Sequence, residues 1–157
     1  GGHVVRLDKL TGKTVDIRPI HPEGEFLRYS WNAPMAIDPF HAKGLYFGSQ
    51  YLHYSPDGGS SWNIISPDLT TNDSTKQHQT ESGGLTIDAT NAENFTTCLS
   101  IAPSPIDKGL VWVGTDDGNL QLTRNNGKSW ENLISRLPEA PKGAWIPQIV
   151  ASAITAG

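Results

Sequence analysis

One cysteine, one methionine and no long apolar run set the first limits on this 157-residue chain. Cys98 stands alone, so it has no partner for an intrachain disulfide and no companion thiolates for a cysteine-based metal site. Its surroundings, Thr97-Cys98-Leu99-Ser100-Ile101, alternate in polarity, which points to a small buried hydrophobe rather than a nucleophile. No stretch approaches the roughly 18 apolar residues of a membrane span. Positive charge is scarce as well. Lys and Arg number 12 against 16 Asp and Glu, a net charge of -4, which excludes a strongly basic nucleic-acid binder. The chain does not open on Met, and no charged-then-apolar leader is legible at Gly1-Gly2. These features are expected of a portion of a longer polypeptide.

What is abundant says more. Sixteen Gly and eleven Pro preclude long uninterrupted helices and force frequent turns. Five Trp, four Tyr and four Phe supply the large apolar surfaces that a disordered chain lacks. Residues 3–8 and 13–18 alternate around the turn residues Lys9-Leu10-Thr11-Gly12, predicting a β-hairpin. Strands follow at 31–37, 45–49, 51–55 and 61–65. A polar segment, 66–95, then interrupts with little apolar periodicity; a stretch of that length is either functional or an ordered excursion. The rhythm resumes with strands at 97–101, 110–114, 119–123 and 129–134. Residues 145–151 read as the first strand of a further unit.

The two four-strand stretches match each other. Ile37-Asp38-Pro39 corresponds to Ile101-Ala102-Pro103, and Phe47-Gly48 to Val113-Gly114. Ser55-Pro56-Asp57-Gly58-Gly59-Ser60-Ser61-Trp62 corresponds to Thr123-Arg124-Asn125-Asn126-Gly127-Lys128-Ser129-Trp130. Self-similar units of four short strands predict an all-β fold, a partial β-propeller of four-stranded antiparallel blades. Its expected divisions are 1–30 (outer hairpin of a preceding blade and linker), 31–65 (blade), 66–95 (polar insertion), 96–137 (blade) and 138–157 (first strand of the next). Propellers close with about four to eight blades, so two leave broad faces uncovered. The expected partners are therefore the remainder of the propeller or other subunits.

Both octets follow the Asp-box pattern, Ser/Thr-x-Asp/Asn-x-Gly-x-Ser/Thr-Trp. Asp57 and Asn125 are placed to accept turn amides, and Gly59 and Gly127 to take positive φ. Ser55, Ser61, Thr123 and Ser129 offer hydroxyls to the same turns, while Trp62 and Trp130 pack them on the blade. With Trp31-Asn32-Ala33-Pro34, Ile65-Ser66-Pro67-Asp68-Leu69-Thr70-Thr71-Asn72 and Val111-Trp112-Val113-Gly114-Thr115-Asp116-Asp117-Gly118, the chain resembles the sortilin-type Asp-box propellers. In particular it resembles large secreted bacterial members described as BNR-repeat glycosyl hydrolases. The resemblance extends from Gly1 to Ala151. It implies an extracytoplasmic protein that binds a protein or peptide ligand, or scaffolds an assembly, without catalysis, cofactor or metal.

The alternative is a fragment of a glycoside hydrolase or sialidase. Sialidases, which also carry Asp boxes, use an arginine triad, a Tyr–Glu pair and an Arg-Ile-Pro motif. Here the five arginines are 6, 18, 28, 124 and 136, and the nearest string, Ile17-Arg18-Pro19-Ile20, has the wrong order. Paired carboxylates for glycoside hydrolysis would come from Glu81, Asp116 and Asp117, although Asp116-Asp117-Gly118-Asn119 is also a turn sequence. His3, His21, His41, His53 and His78 lack metal-ligand spacing, and His53 is expected to be an exposed strand residue. Asp68, Asn72 and Asp73 offer hard oxygen donors of the kind calcium takes. Asn72-Asp73-Ser74 and Asn94-Phe95-Thr96 are formal glycosylation sequons. The candidate binding loop is the insertion around Gln77–Gly84, with His78 and Glu81, because loops on a rigid scaffold collect recognition residues.

Overall fold

The computed structural model describes residues 1–78 and 94–155. Its regular structure is almost entirely β. Strands β1 (Val5–Leu7) and β2 (Thr14–Asp16) form a two-stranded hairpin. Strands β3 (Met35–Ile37), β4 (Leu45–Gly48), β5 (Leu52–Ser55) and β6 (Asn63–Ile64) form a sheet in sequential order. A second sheet repeats it with β7 (Cys98–Pro103), β8 (Val111–Thr115), β9 (Leu120–Thr123) and β10 (Glu131–Asn132). Every pairing is antiparallel. Single 3₁₀ turns occupy Ser74–Lys76 and Ile134–Arg136.

A backbone bond repeats three times and shows that the hairpin is equivalent to the outer half of each sheet. Ile17 N donates to Val4 O at 3.0 Å, Ile65 N to Leu52 O at 2.9 Å and Leu133 N to Leu120 O at 2.7 Å. Each pair closes a strand–turn–strand of the same length. The described residues thus hold a hairpin that matches the outer half of a sheet, followed by two four-stranded sheets.

Strand alternation gives each sheet two apolar faces, and both are used for stacking. Phe47 on β4 points back to the hairpin, joining Val4, Ile17, Leu27 and Tyr29. Tyr46, its neighbour, points forward to the second blade, joining Leu52, Leu69, Cys98, Val111 and Val113. Leu52, Leu69 and Val113 are fully buried there. Each contributes roughly 1.5–3 kcal/mol through water exclusion. Blades stacked face to face in chain order make the architecture a partial β-propeller. The far face of the second blade carries a third, smaller cluster of Leu110, Leu122 and Leu133 with half-buried Trp112 and Leu120.

Two expectations fail. Residues 145–151 form no strand, because a strand needs a hydrogen-bonded neighbour and none of the described residues supplies one. Ile146 is nevertheless seated where the second blade's first strand begins in the preceding repeat: Ile146 N donates to Thr115 O at 3.0 Å, as Cys98 N does to Ser49 O at 2.7 Å. His53 is buried (1% exposed), not exposed, since its face of β5 is covered rather than solvated. The segment expected to be polar also contributes Leu69 to the core.

Candidate functional site

The two ends of the sheets are built differently. At one end lie the turns 55–62 and 123–130. Ser55 Oγ accepts from Gly59 N at 2.7 Å, and the Asp57 carboxylate accepts from Ser61 N at 2.8 Å and Ser61 Oγ at 2.7 Å. Those bonds, the Ser61 hydroxyl's first, hold the Asp57 carboxyl down at about 2. In the second turn Thr123 Oγ1 accepts from Gly127 N at 2.9 Å, and Asn125 Oδ1 from Ser129 N at 2.9 Å, while Asn125 Nδ2 donates to Ser129 Oγ at 2.8 Å. Gly59 and Gly127 have φ of +87° and +85°, open to glycine at little cost. Each tryptophan then reaches back one repeat. Trp62 Nε1 donates to Ile17 O at 2.7 Å, and Trp130 Nε1 to Ile65 O at 3.0 Å.

At the other end, the β4–β5 and β8–β9 connections meet the linkers that enter each blade. Arg28 is buried in that linker, and its guanidinium donates to Asp68 Oδ2 at 2.6 Å and to Thr96 O at 3.1 Å. Its backbone N–H donates to Gln50 Oε1 at 2.8 Å, and Gln50 Nε2 in turn donates to Glu25 and Phe26 O. Tyr51 donates its hydroxyl to Glu25 as well, and burial together with that carboxylate pushes the phenol up to about 12. The Asp116 carboxylate accepts from Thr97 N at 2.8 Å and Thr97 Oγ1 at 2.7 Å. Asp117 accepts from Thr71 N and Thr71 Oγ1, both at 2.7 Å, and from Thr115 Oγ1. Asn119 and Gln121 both donate to Leu69 O. The result is one polar network, largely buried, that fixes the entry of the insertion at 68–72 and its exit at 94–97.

This network tolerates unfavourable chemistry. Burial raises the Asp116 carboxyl to about 6, even though Thr97 favours its charged form. Thr96, a β-branched residue, sits at φ +58°, a conformation that costs about 1–3 kcal/mol and persists only where its surroundings over-determine it. Its carbonyl takes the Arg28 bond and its hydroxyl the Gln77 amide at 2.9 Å. His53 lies beneath, with Nε2 at 2.8 Å from Ser49 Oγ. Burial lowers the imidazole to about 4, so it is neutral at ordinary pH.

The carboxylates singled out from sequence are therefore distributed as follows. Asp116 and Asp117 are in the network, each held by threonines. His78 is exposed at the edge of the described insertion, and Glu81 lies outside the described residues. Asp68, Asn72 and Asp73 do not converge on a cation site: Asp68 faces Arg28, Asn72 Oδ1 accepts from Gln77, and Asp73 caps the Ser74–Lys76 turn through Thr75 N. Among the described residues no three His, Cys, Asp or Glu cluster as a metal site, and no helix is long and apolar enough to cross a membrane. Arg28, Gln50, Thr71, Thr96 and Thr97 are the network members that sequence reading missed. The Asp68-Leu69-Thr70 string, whose Asp68 Oδ1 accepts from Thr70 N at 2.9 Å, was the one local signal available.

The fold defines a β-propeller portion. No protein-family model matches the sequence, and no curated protein matches it. Among solved structures, YCF48 bound to D1 peptide is similar over 78% of this chain at 14% identity, with a TM-score of 0.43. The GH74 enzyme of Niastella koreensis is similar over 96% of this chain, also at 14% identity, with a TM-score of 0.32. Both are propellers. The chain spans 30% of the first and 33% of the second.

Proposed function

We propose that this chain is a non-catalytic portion of a larger Asp-box propeller of the sortilin or BNR-repeat type, and that it binds a protein or peptide ligand or scaffolds an assembly. The rest of that propeller, or other subunits, would be its structural partners. The observation that carries this reading is the fate of the loop-end carboxylates. Asp68, Asp116 and Asp117 each accept bonds from Arg28 or from threonines, so the described network works as a rigid base under the insertion rather than as a free acid–base pair. A rigid base that presents a polar loop suits recognition. The extracytoplasmic location follows from the family resemblance.

One observation favours the second reading, a glycoside hydrolase fragment. A carboxyl raised to about 6, as Asp116 is, has the proton a general acid needs near neutral pH. The two readings separate in one experiment on the chain: a peptide-display selection run beside turnover assays on aryl glycosides. Recognition predicts selected peptides whose binding falls at least tenfold in His78→Ala or Glu81→Gln, with no turnover. Turnover that disappears in Asp116→Asn would replace it with the enzyme.

A further inference from the structure

Where the two sheets meet at their turn end, the seam between them turns polar. A cavity of about 140 Å³ lies there, lined from the first sheet's side by Asp38, His41, Tyr46 and Tyr54 and from the second's by Lys108 and Asn126. Asp38 Oδ1 accepts from Phe40 N at 2.8 Å, and Asp38 Oδ2 from the Tyr54 hydroxyl at 2.9 Å. Among the described residues no cation pairs with that carboxylate. The Tyr46 ring packs 5.0 Å from that of Tyr54 and is only 5% exposed, yet its hydroxyl makes no hydrogen bond to a described residue. A buried hydroxyl left so is costly and calls for an explanation. Burial, and then the charge of Asp38, pushes the Tyr46 phenol up, while burial and the bond to Asp38 push Tyr54 to about 12, so both are neutral hydroxyls.

The fold itself does not require these groups. Strand pairing places Trp112 and Leu122 in the second sheet where Tyr46 and Tyr54 stand in the first. It also places Ser104, not Ala102, where Asp38 stands: Ser104 N donates to Leu110 O as Asp38 N does to Gly44 O. The carboxylate and both phenols are thus particular to this seam.

We propose that the cavity binds a small aminocarboxylate, an amino acid of the size of glycine or β-alanine. Its ammonium group donates to the Asp38 carboxylate, to the Tyr46 oxygen and to the Tyr54 oxygen, whose own proton is already given to Asp38. Three N–H donors meet three oxygens in this way, with charge on both sides of the Asp38 bond. The ligand's carboxylate faces Lys108, which is exposed at the edge of the cavity. At roughly 30 Å³ for each water-sized group, the space admits about five of them, as many as glycine has heavy atoms. Lys108 disfavours a plain amine, and Asp38 disfavours a plain carboxylate. The site lies at the opposite end of the sheets from the insertion, so it stands or falls apart from the recognition reading.

The test is calorimetric titration of the chain with β-alanine, ethylamine and propionate. β-Alanine is expected to bind once per chain, more tightly than ethylamine, and propionate not at all. Asp38→Asn keeps an oxygen for Phe40 N and should weaken β-alanine roughly tenfold or more. Lys108→Met should weaken β-alanine several-fold and leave ethylamine unchanged. Tyr46→Phe, which removes only the unpaired hydroxyl, should weaken β-alanine several-fold without lowering Tm; it decides the matter should Asp38→Asn fail to fold. No saturable binding of β-alanine up to about 10 mM, propionate binding as tightly as β-alanine, or β-alanine binding that ignores Asp38→Asn or Lys108→Met each overturns the proposal. A Tm that falls in Tyr46→Phe while binding is unchanged would assign the hydroxyl to trapped water and overturn it as well.

Discussion

At the turn end of the sheets, the bonds within 55–62 and 123–130 join residues two to four positions apart, and each octet's tryptophan adds one bond to the preceding repeat. At the loop end, the corresponding bonds span 19 residues from Thr97 to Asp116, 46 from Thr71 to Asp117 and 68 from Arg28 to Thr96. A short-range turn satisfies its polar groups wherever its octet folds. A long-range network satisfies them only when both blades and the linker are already in place, and it leaves several buried groups stranded if one member is lost. The turn end is therefore modular and the loop end is cooperative.

Breaking the cooperative end should have the largest effect. Arg28→Ala removes the cation that faces the Asp68 carboxylate and the donor to the Thr96 carbonyl, and removal of one partner from a buried pair costs about 3–5 kcal/mol. Urea unfolding would show it, and a loss below about 1 kcal/mol would mean that the loop end is as forgiving as the turns. Next in size is an asymmetry between the two turns. A Cβ at Gly127 would lie 2.1 Å from the Ile65 carbonyl oxygen, a backbone atom, whereas at Gly59 it would meet the Ile17 side chain at 2.6 Å. Gly127→Ala should cost about 2–4 kcal/mol and Gly59→Ala about 1–2, both including the positive-φ strain. Equal costs would show that the backbone at Ile65 yields as easily as a side chain.

The smallest effect is one of sign. Asp116 is raised from 3.8 to about 6, so the native state holds its proton more tightly than the unfolded state. Its contribution is complete below pH 3.8 and is lost as pH rises through about 6. Asp57 is lowered to about 2, so its contribution is present above pH 3.8 and lost as pH falls through 2. The Tm difference between the parent and Asp116→Asn should therefore shrink steadily from pH 4 to 7, while Asp57→Asn should alter the profile only below about pH 4. A flat difference for Asp116→Asn would place that carboxyl in contact with water.

The same contrast governs what could be read in advance. The strand rhythm, the repeat and the positive φ of Gly59 and Gly127 depend on neighbours in sequence, so spacing reveals them. His53 was misread because alternation tells which residues share a face, not whether that face is later covered. The strand expected at 145–151 has the right side chains and lacks a partner. Arg28 carried no local mark, since Leu27-Arg28-Tyr29 says nothing about Asp68, 40 residues away. Asp116 and Asp117 read as ordinary turn residues because Thr97 and Thr71, which tie them into the network, lie in other segments.

The indole bonds from Trp62 to Ile17 and from Trp130 to Ile65 also set an order in time. Each carbonyl lies one residue past the strand that ends one repeat, and each indole arrives only with the outer turn of the following one, 45 and 65 residues later. A chain that emerges from its N-terminus, with units folding as they appear, thus holds one outer edge unfastened until the next unit is made. Synthesis closes the array like a row of clasps, each fastened by its successor.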